Sequence, residues 1–202
     1  MGFIANLFKK KEPVSSLNDY SLLGVDFHSH LIPGIDDGAK NMEDAIGLIS
    51  GLKALGFKKI ITSPHIMTDG YPNKPEGILR GRDLVREELA KRVIDVGFDA
   101  WAEYYLDETI MKKISEKSLM TMGDNYVLVE LSYLIKSFSA TSYFYALRNA
   151  GYKVVLAHPE RYPYYHEESL EQYREIKDQG ILFQMNIASL TGVYGKGPKY
   201  YA

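Results

Sequence analysis

Histidines and carboxylates recur along this chain beside short apolar runs. Asp26-Phe27-His28-Ser29-His30 follows the first run, and Asp36-Asp37-Gly38 lies in the loop beyond it. Ser63-Pro64-His65 closes the second run, Glu103 the third, Glu130 the fourth, and His158-Pro159-Glu160-Arg161 the fifth. Four of the five histidines occupy these positions, and only His166 lies elsewhere. Imidazole nitrogen and carboxylate oxygen form the donor set that binds Zn2+, Mn2+ or Fe2+. His28 and His30 are two residues apart, so on extended backbone their rings point to one side and a single cation can take both. Glu103 and Glu130, on separate segments, can bridge or terminate further cations.

Each residue also has an ordinary use. A lone His65 is a hydrogen-bonding rim residue, a lone Glu103 a salt-bridged structural group, and Asp37 before Gly38 a turn residue. Asp26 can orient a ligand histidine. The joint placement changes the weighing, because clustered carboxylates and imidazoles at one pole are costly without a cation. The chemistry of such a centre is hydrolysis by metal-activated hydroxide. Attack on phosphorus in line would need positive charge on the equatorial oxygens. Arg161 has a guanidinium fork that matches phosphate. Its competing use is a structural pair with Glu160 or with a helix end. No residue stands out as general acid.

These side chains need a scaffold that gathers them. The pattern predicts strands over 22–27, 59–62, 98–103, 126–130, 154–157 and 181–186. Helices are expected over 42–55, 76–96, 107–117, 141–150 and 169–179. The first helix carries Ala45, Ile46, Ile49, Leu52 and Leu55 at helical spacing, with Asn41 as N-cap and Gly56 past its end. Short β-branched strands separated by helices argue for an α/β fold with parallel pairing through crossovers. No glycine-rich phosphate loop follows the first strand, which disfavours a dinucleotide fold. Polar residues at the C-terminal strand ends favour a barrel.

The length of 202 residues suits one sizeable domain. A net charge of −2 without a basic stripe argues against a nucleic-acid partner. The absence of cysteine excludes disulfides, thiolate zinc sites and cysteine-nucleophile phosphatase chemistry. It is also compatible with a cytoplasmic location. No apolar run reaches the roughly 20 residues that cross a bilayer. The apolar start Met1–Phe8, followed by Lys9, Lys10 and Lys11, is too short for a signal peptide. Asn6 stands where myristoylation requires Ser or Thr. Residues 1–21 read as a leader and linker that contacts a partner or, weakly, a membrane surface.

The motifs carry a family resemblance. Asp26-Phe27-His28-Ser29-His30 with Ile35-Asp36-Asp37-Gly38, Thr62-Ser63-Pro64-His65, Ala102-Glu103-Tyr104-Tyr105, Val127-Leu128-Val129-Glu130-Leu131-Ser132 and Ala157-His158-Pro159-Glu160-Arg161-Tyr162 resemble, in order, the five motifs of PHP-superfamily (polymerase and histidinol phosphatase) tyrosine phosphatases. The Asp-Asp-Gly, Ala-Glu-Tyr-Tyr and His-Pro-Glu-Arg-Tyr elements point to the capsule and exopolysaccharide type. The resemblance implies a distorted (β/α)7, TIM-like barrel and two or three divalent ions per chain, usually Mn2+, with Zn2+ or Fe2+ as alternatives. Carried over, the ligands are His28, His30, Asp37, His65, Glu103, Glu130 and His158. The implied substrate is phosphotyrosine on the tail of a bacterial tyrosine autokinase of polysaccharide export.

That family ends its barrel with a strand bearing Asp-x-His, and none follows His158 here. The expectation is a phosphatase domain over 22–202 whose last βα units are missing. Trp101 stands where the family often has a small residue. Tyr104, Tyr105, Tyr133, Tyr162, Tyr164 and Tyr165 are candidates to rim an aromatic-accepting pocket or to pack. Competing readings are a small-molecule phosphoesterase such as a histidinol-phosphate phosphatase, a PHP nuclease, and a non-catalytic partner-binding domain. A homo-oligomer stays open.

Overall fold

The computed structural model describes residues 19–166 and 169–202. The leader expected over 1–21 therefore lies outside the described residues, except for 19–21. In chain order the elements are β1 (Val25–Asp26), α1 (Met42–Ala54), β2 (Lys59–Thr62), β3 (His65–Ile66), α2 (Pro75–Lys91), β4 (Gly97–Ala100) and β5 (Glu103–Tyr105). There follow α3 (Thr109–Ser115), β6 (Tyr126–Glu130), α4 (Ala140–Asn149), β7 (Lys153–Ala157), α5 (Glu171–Asp178), β8 (Leu182–Gln184) and α6 (Lys196–Tyr201). Short 3-10 turns span Pro159–Arg161, Pro163–Tyr165 and Ile187–Thr191.

All strand pairs are parallel, as alternation with helices demands. They form two sheets, ordered β1-β2-β4 and β3-β5-β6-β7-β8. The strand expected over 98–103 is divided into β4 and β5 by Trp101-Ala102, and Ser63-Pro64 separates β2 from β3. Hydrogen bonds cross both breaks: Trp101 N–H donates to Thr62 O at 3.0 Å and Glu103 N–H to Pro64 O at 3.0 Å. Trp101 is wholly buried, and its indole N–H donates to Phe27 O at 3.0 Å, which pins the break to the end of β1.

Helix ends follow local chemistry. Asn41 Oδ1 accepts from Asp44 N–H at 3.0 Å and caps α1. Pro75 opens α2, where its missing N–H costs nothing. That helix stops at Lys91, short of the expected 96. Val93 turns left-handed (φ 55), Ile94 N–H donates to Leu89 O and Val93 N–H to Ala90 O. This is a Schellman closure without its usual glycine.

Alternate residues of β6 and β7 enter different apolar clusters. Val127, Val129, Val154 and Leu156 pack with Phe144 and Leu147 of α4. Leu128, Val155 and Ala157 pack on the other face with Ile61 and Trp101. Both sheet faces are thus covered, as parallel strands require. A further cluster joins Ile46 and Ile49 of α1 and Val85 and Leu89 of α2 to Ile60 and Phe98. Among the described residues no helix is long and apolar enough to cross a membrane.

Candidate metal centre

Parallel register delivers the polar residues to one end of the sheets. His65 of β3 pairs with Glu103 of β5, and Glu130 of β6 with Tyr105. His28 and His30 lie just beyond β1, and His158 just beyond β7. Glu103 is wholly buried and forms the hub. Its Oε2 lies 3.2 Å from His28 Nε2, 3.4 Å from His30 Nε2 and 3.3 Å from His65 Nδ1, while Oε1 lies 3.1 Å from His158 Nε2. Glu130 Oε1 is 3.0 Å from His65 Nδ1. Asp37, the most exposed of the set, closes the mouth with Oδ1 3.6 Å from His65 Nε2 and 3.8 Å from His30 Nδ1.

The structure thus brings all seven expected ligands together. Their donor atoms fall into three overlapping groups, each within 4.8 Å: His28, His30 and Glu103; His30, Asp37 and His65; His65, Glu103 and Glu130. His158 joins through Glu103. Its backbone is left-handed (φ 33), a conformation costly for a residue other than glycine and one that clusters at functional sites.

The hydrogen bonds around the cluster show what it lacks. His30 Nδ1 donates to Asp36 Oδ2 at 2.8 Å, and Asp36 also accepts from Gly38 N–H and His65 N–H. His28 Nδ1 bonds Gln184 Oε1 at 2.6 Å. With the outer nitrogens engaged, the inner ones face the Glu103 carboxylate. Glu103 Oε2 and His65 Nδ1 are nevertheless buried without a hydrogen bond. An orphaned carboxylate oxygen ringed by three imidazole nitrogens fits a divalent cation of the borderline N/O class. Without one, protons must compensate. Burial opposes the His30 imidazolium, but the hydrogen bond to Asp36 and the nearby Glu103 carboxylate outweigh it and push the ring up to about 10. Burial likewise opposes the Glu103 carboxylate, yet the ring of imidazoles around it, with the hydrogen bond between His158 and Oε1, holds it well below the usual range.

These residues line a cavity of about 1220 Å³ that also takes in Tyr71, Tyr105, Tyr133, Arg161 and Tyr194. The Arg161 guanidinium sits between two rings, 4.9 Å from the centroid of Tyr133 and 4.2 Å from that of Tyr194. The alternative pairing with Glu160 does not form. Glu160 turns inward, where its Oε1 accepts from Asn186 N–H at 3.0 Å and Ser189 Oγ at 2.7 Å. Asp26 accepts from Ser29 Oγ at 2.6 Å. His166 bonds Glu160 O and stacks on Tyr201. Tyr104, Tyr162 and Tyr165 are buried packing residues, Tyr164 is half-buried with its hydroxyl on Ser132 O, and Tyr105 and Tyr133 reach the cavity.

Sequence reasoning did not single out Gln184, Tyr71 or Tyr194. Tyr71 stacks on His65 at 5.4 Å. Gln184 had a signal: it lies in the sixth expected strand, two residues before its C-terminal end, close to the position from which the other strands supply site residues.

The sequence profile of a family described as "Capsular polysaccharide synthesis, CpsB/CapC" matches residues 24–202. Tyrosine-protein phosphatase YwqE of Bacillus subtilis (strain 168) is 28% identical over 179 residues, 88% of this chain and 70% of the relative. Tyrosine-protein phosphatase CpsB of Streptococcus pneumoniae is 29% identical over 178 residues, 87% of this chain and 72% of the relative. A crystal structure from work on YwqE of Bacillus subtilis and CpsB of Streptococcus pneumoniae, described as unique metal-dependent tyrosine phosphatases, superposes with a TM-score of 0.81 at 28% identity. It covers 88% of this chain and 72% of its own. With the family profile matching residues 24–202 and the parallel α/β fold superposing on that structure, the chain belongs to the CpsB/CapC family of capsular polysaccharide synthesis.

Proposed function

We propose that this chain is a metal-dependent protein-tyrosine phosphatase of capsular polysaccharide synthesis. Its substrate would be phosphotyrosine on a tyrosine autokinase tail of the export machinery. The carrying observation is the orphaned Glu103 Oε2 among three imidazole nitrogens, at the base of a cavity that also holds Arg161. The named relatives are tyrosine-protein phosphatases, which supports the substrate class.

His28, His30, Asp37, His65, Glu103, Glu130 and His158 would hold two or three divalent ions, Mn2+ first among the candidates. Bound cations would lower the pKa of water toward neutrality and offset charge on the phosphoryl oxygens. Asp36 keeps the His30 ring in place and leaves Nε2 facing inward. Arg161 has no ion pair among the described residues, and its aromatic neighbours cover its faces. Its N–H edges are left for phosphoryl oxygens, which a guanidinium binds in bidentate fashion. Beside this site Leu134, Ile135 and Phe138 stand exposed on the loop after β6, a surface suited to polypeptide flanking the phosphotyrosine.

The two sheets are read as arcs of one distorted barrel wall, since β2 runs on into β3 and β4 into β5 with hydrogen bonds across each break. Residues 22–202 are taken as one such domain, acting in the cytoplasm. The test is a substrate panel with Mn2+, with and without chelator: phosphotyrosine peptide, phosphoserine peptide, histidinol phosphate and single-stranded DNA. Chelator-sensitive preference for the phosphotyrosine peptide is expected. Preference for another substrate, or no hydrolysis with ions bound, would overturn the reading.

A further inference from the structure

We propose that Gln184 is a positioning residue of the metal centre, taking a proton of His28 at Nδ1 so that Nε2, on the Glu103 side, is the nitrogen offered to a cation. The inference rests on the metal-centre reading and deepens it: β8 supplies no ligand, yet it sets the form in which β1 presents one.

The orientation of the Gln184 amide is fixed from several sides. Oε1 lies 3.2 Å from His158 N, a group that only donates. Nε2 lies 3.0 Å from Met185 O, a group that only accepts, and 2.9 Å from Asn186 Oδ1. The oxygen and nitrogen of the amide therefore cannot be exchanged. His28 Nδ1, 2.6 Å from Oε1, must then be the donor. An imidazole that ligates a cation has one N–H, and with that proton on Nδ1 the other nitrogen is the one left to take the ion. That nitrogen is the one 3.2 Å from Glu103 Oε2.

The bond also crosses from one sheet to the other. β1 and β8 lie in different sheets and share no backbone pairing among the described residues. One amide oxygen thus restrains a ligand ring beyond β1 and the left-handed backbone of a second ligand, His158, beyond β7. Gln184 is itself buried, so water does not compete for these bonds. Glutamate at this position would keep the acceptor for both His28 and His158 but lose the two donors. Methionine would keep the bulk and lose the acceptor.

The test uses the full chain, labelled with 15N-histidine, as wild type, Gln184→Met and Gln184→Glu, metal-free and loaded with Zn2+ as a diamagnetic probe. Zn2+ affinity is read by chelator competition and the His28 protonation site by long-range 1H–15N correlation. Wild type is expected to show a hydrogen-bonded Nδ1–H on His28 in both states. Q184M should bind Zn2+ about 10–100-fold more weakly and lose the single Nδ1–H signature, and Q184E should recover both. Two results would overturn the proposal: Q184M with wild-type affinity and an unchanged His28 signal, or Q184E as weak as Q184M, which would reduce the effect to packing. Should the wild type bind no Zn2+, the metal-centre reading fails by itself, while the His28 signal in the metal-free chain still decides the role of Gln184.

Discussion

His28 Nε2 and Glu103 Oε2 face each other at 3.2 Å, and Oε2 has no hydrogen bond. Partners behind them hold both: Gln184 grips the far side of the imidazole, and His158 Nε2 lies 3.1 Å from Oε1 of Glu103. A cation relieves this confrontation, and so would an amide donor. Glu103→Gln is therefore expected to fold but to lose its response to metal. At a thousandfold excess over Kd, bound Mn2+ would stabilise the wild type by about 4 kcal/mol, a rise of roughly 10 °C in Tm for a domain of this size. Thermal melts with and without Mn2+ should show that rise in wild type and none in E103Q. An equal rise in both would remove Glu103 from the centre.

Arg161 is held by cation–π contacts with Tyr133 and Tyr194, not by an ion pair among the described residues. Lysine would keep the charge but lose the planar fork and its stacking. Arg161→Lys is expected to lower kcat/KM on a phosphotyrosine peptide by about 10²–10³, the cost of removing one charge-stabilising donor set, with metal content unchanged. Wild-type turnover in R161K would assign Arg161 a structural role instead.

Strand ends were legible because parallel pairing puts every C-terminal end at one pole, so His28, His65, Glu103, Glu130 and His158 needed only the apolar runs before them to be placed together. What the periodicity could not show depends on tertiary contact. Trp101 breaks its strand because its indole reaches Phe27 O, 74 residues away. The end of α2 at Lys91 depends on Val93 taking a left-handed turn that sequence assigns to glycine. Gln184 at the end of β8 and Tyr194 beyond it join the site on either side of a segment that Glu160 ties down by bonding Asn186 and Ser189. Glu160 looked like a partner for its neighbour because adjacency in the chain is visible and burial direction is not.

Gly38 follows Asp36 and Asp37 for a steric reason. A Cβ there would lie 2.1 Å from His30 O and 2.4 Å from His30 Cβ. The same turn places Asp36 on His30 Nδ1 and brings Ala39 N–H to His30 O at 3.0 Å. Gly38→Ala should destabilise the metal-free chain by about 2–3 kcal/mol and weaken metal binding as His30 and Asp37 move. Urea denaturation checks the first effect and chelator competition the second. Stability within about 0.5 kcal/mol of wild type would mean that the loop yields freely.

Alkaline stability should follow the buried tyrosines. Burial pushes the phenols of Tyr104 and Tyr165 up to about 12, from 10.0. Below pH 10 these phenols are neutral folded or unfolded, and their contribution to stability is fully present. Above pH 10 the unfolded chain releases protons that the folded chain retains, so stability is lost as pH rises toward 12. For Tyr104 the slope is about 1.4 kcal/mol per pH unit. Urea midpoints should fall over this window while phenolate absorbance lags behind that of the unfolded chain. A flat midpoint between pH 10 and 12 would show that these phenols do not hold their protons.

The loop after β6 separates chemistry from substrate recognition. Tyr133 points back, with its hydroxyl 3.1 Å from His158 Nε2. Leu134, Ile135 and Phe138 point out and are 91%, 70% and 99% exposed. Three such side chains gain little for the fold, so replacing them should change stability by no more than about 0.5 kcal/mol. They can still cover apolar residues that flank a phosphotyrosine. The triple variant Leu134→Ser, Ile135→Ser, Phe138→Ser is expected to hydrolyse para-nitrophenyl phosphate like wild type. On an apolar phosphotyrosine peptide its KM should rise about tenfold, equivalent to roughly 1.4 kcal/mol of binding. Equal losses on both substrates would trace the effect to a displaced Tyr133 or Glu130, and no loss on either would remove the loop from recognition.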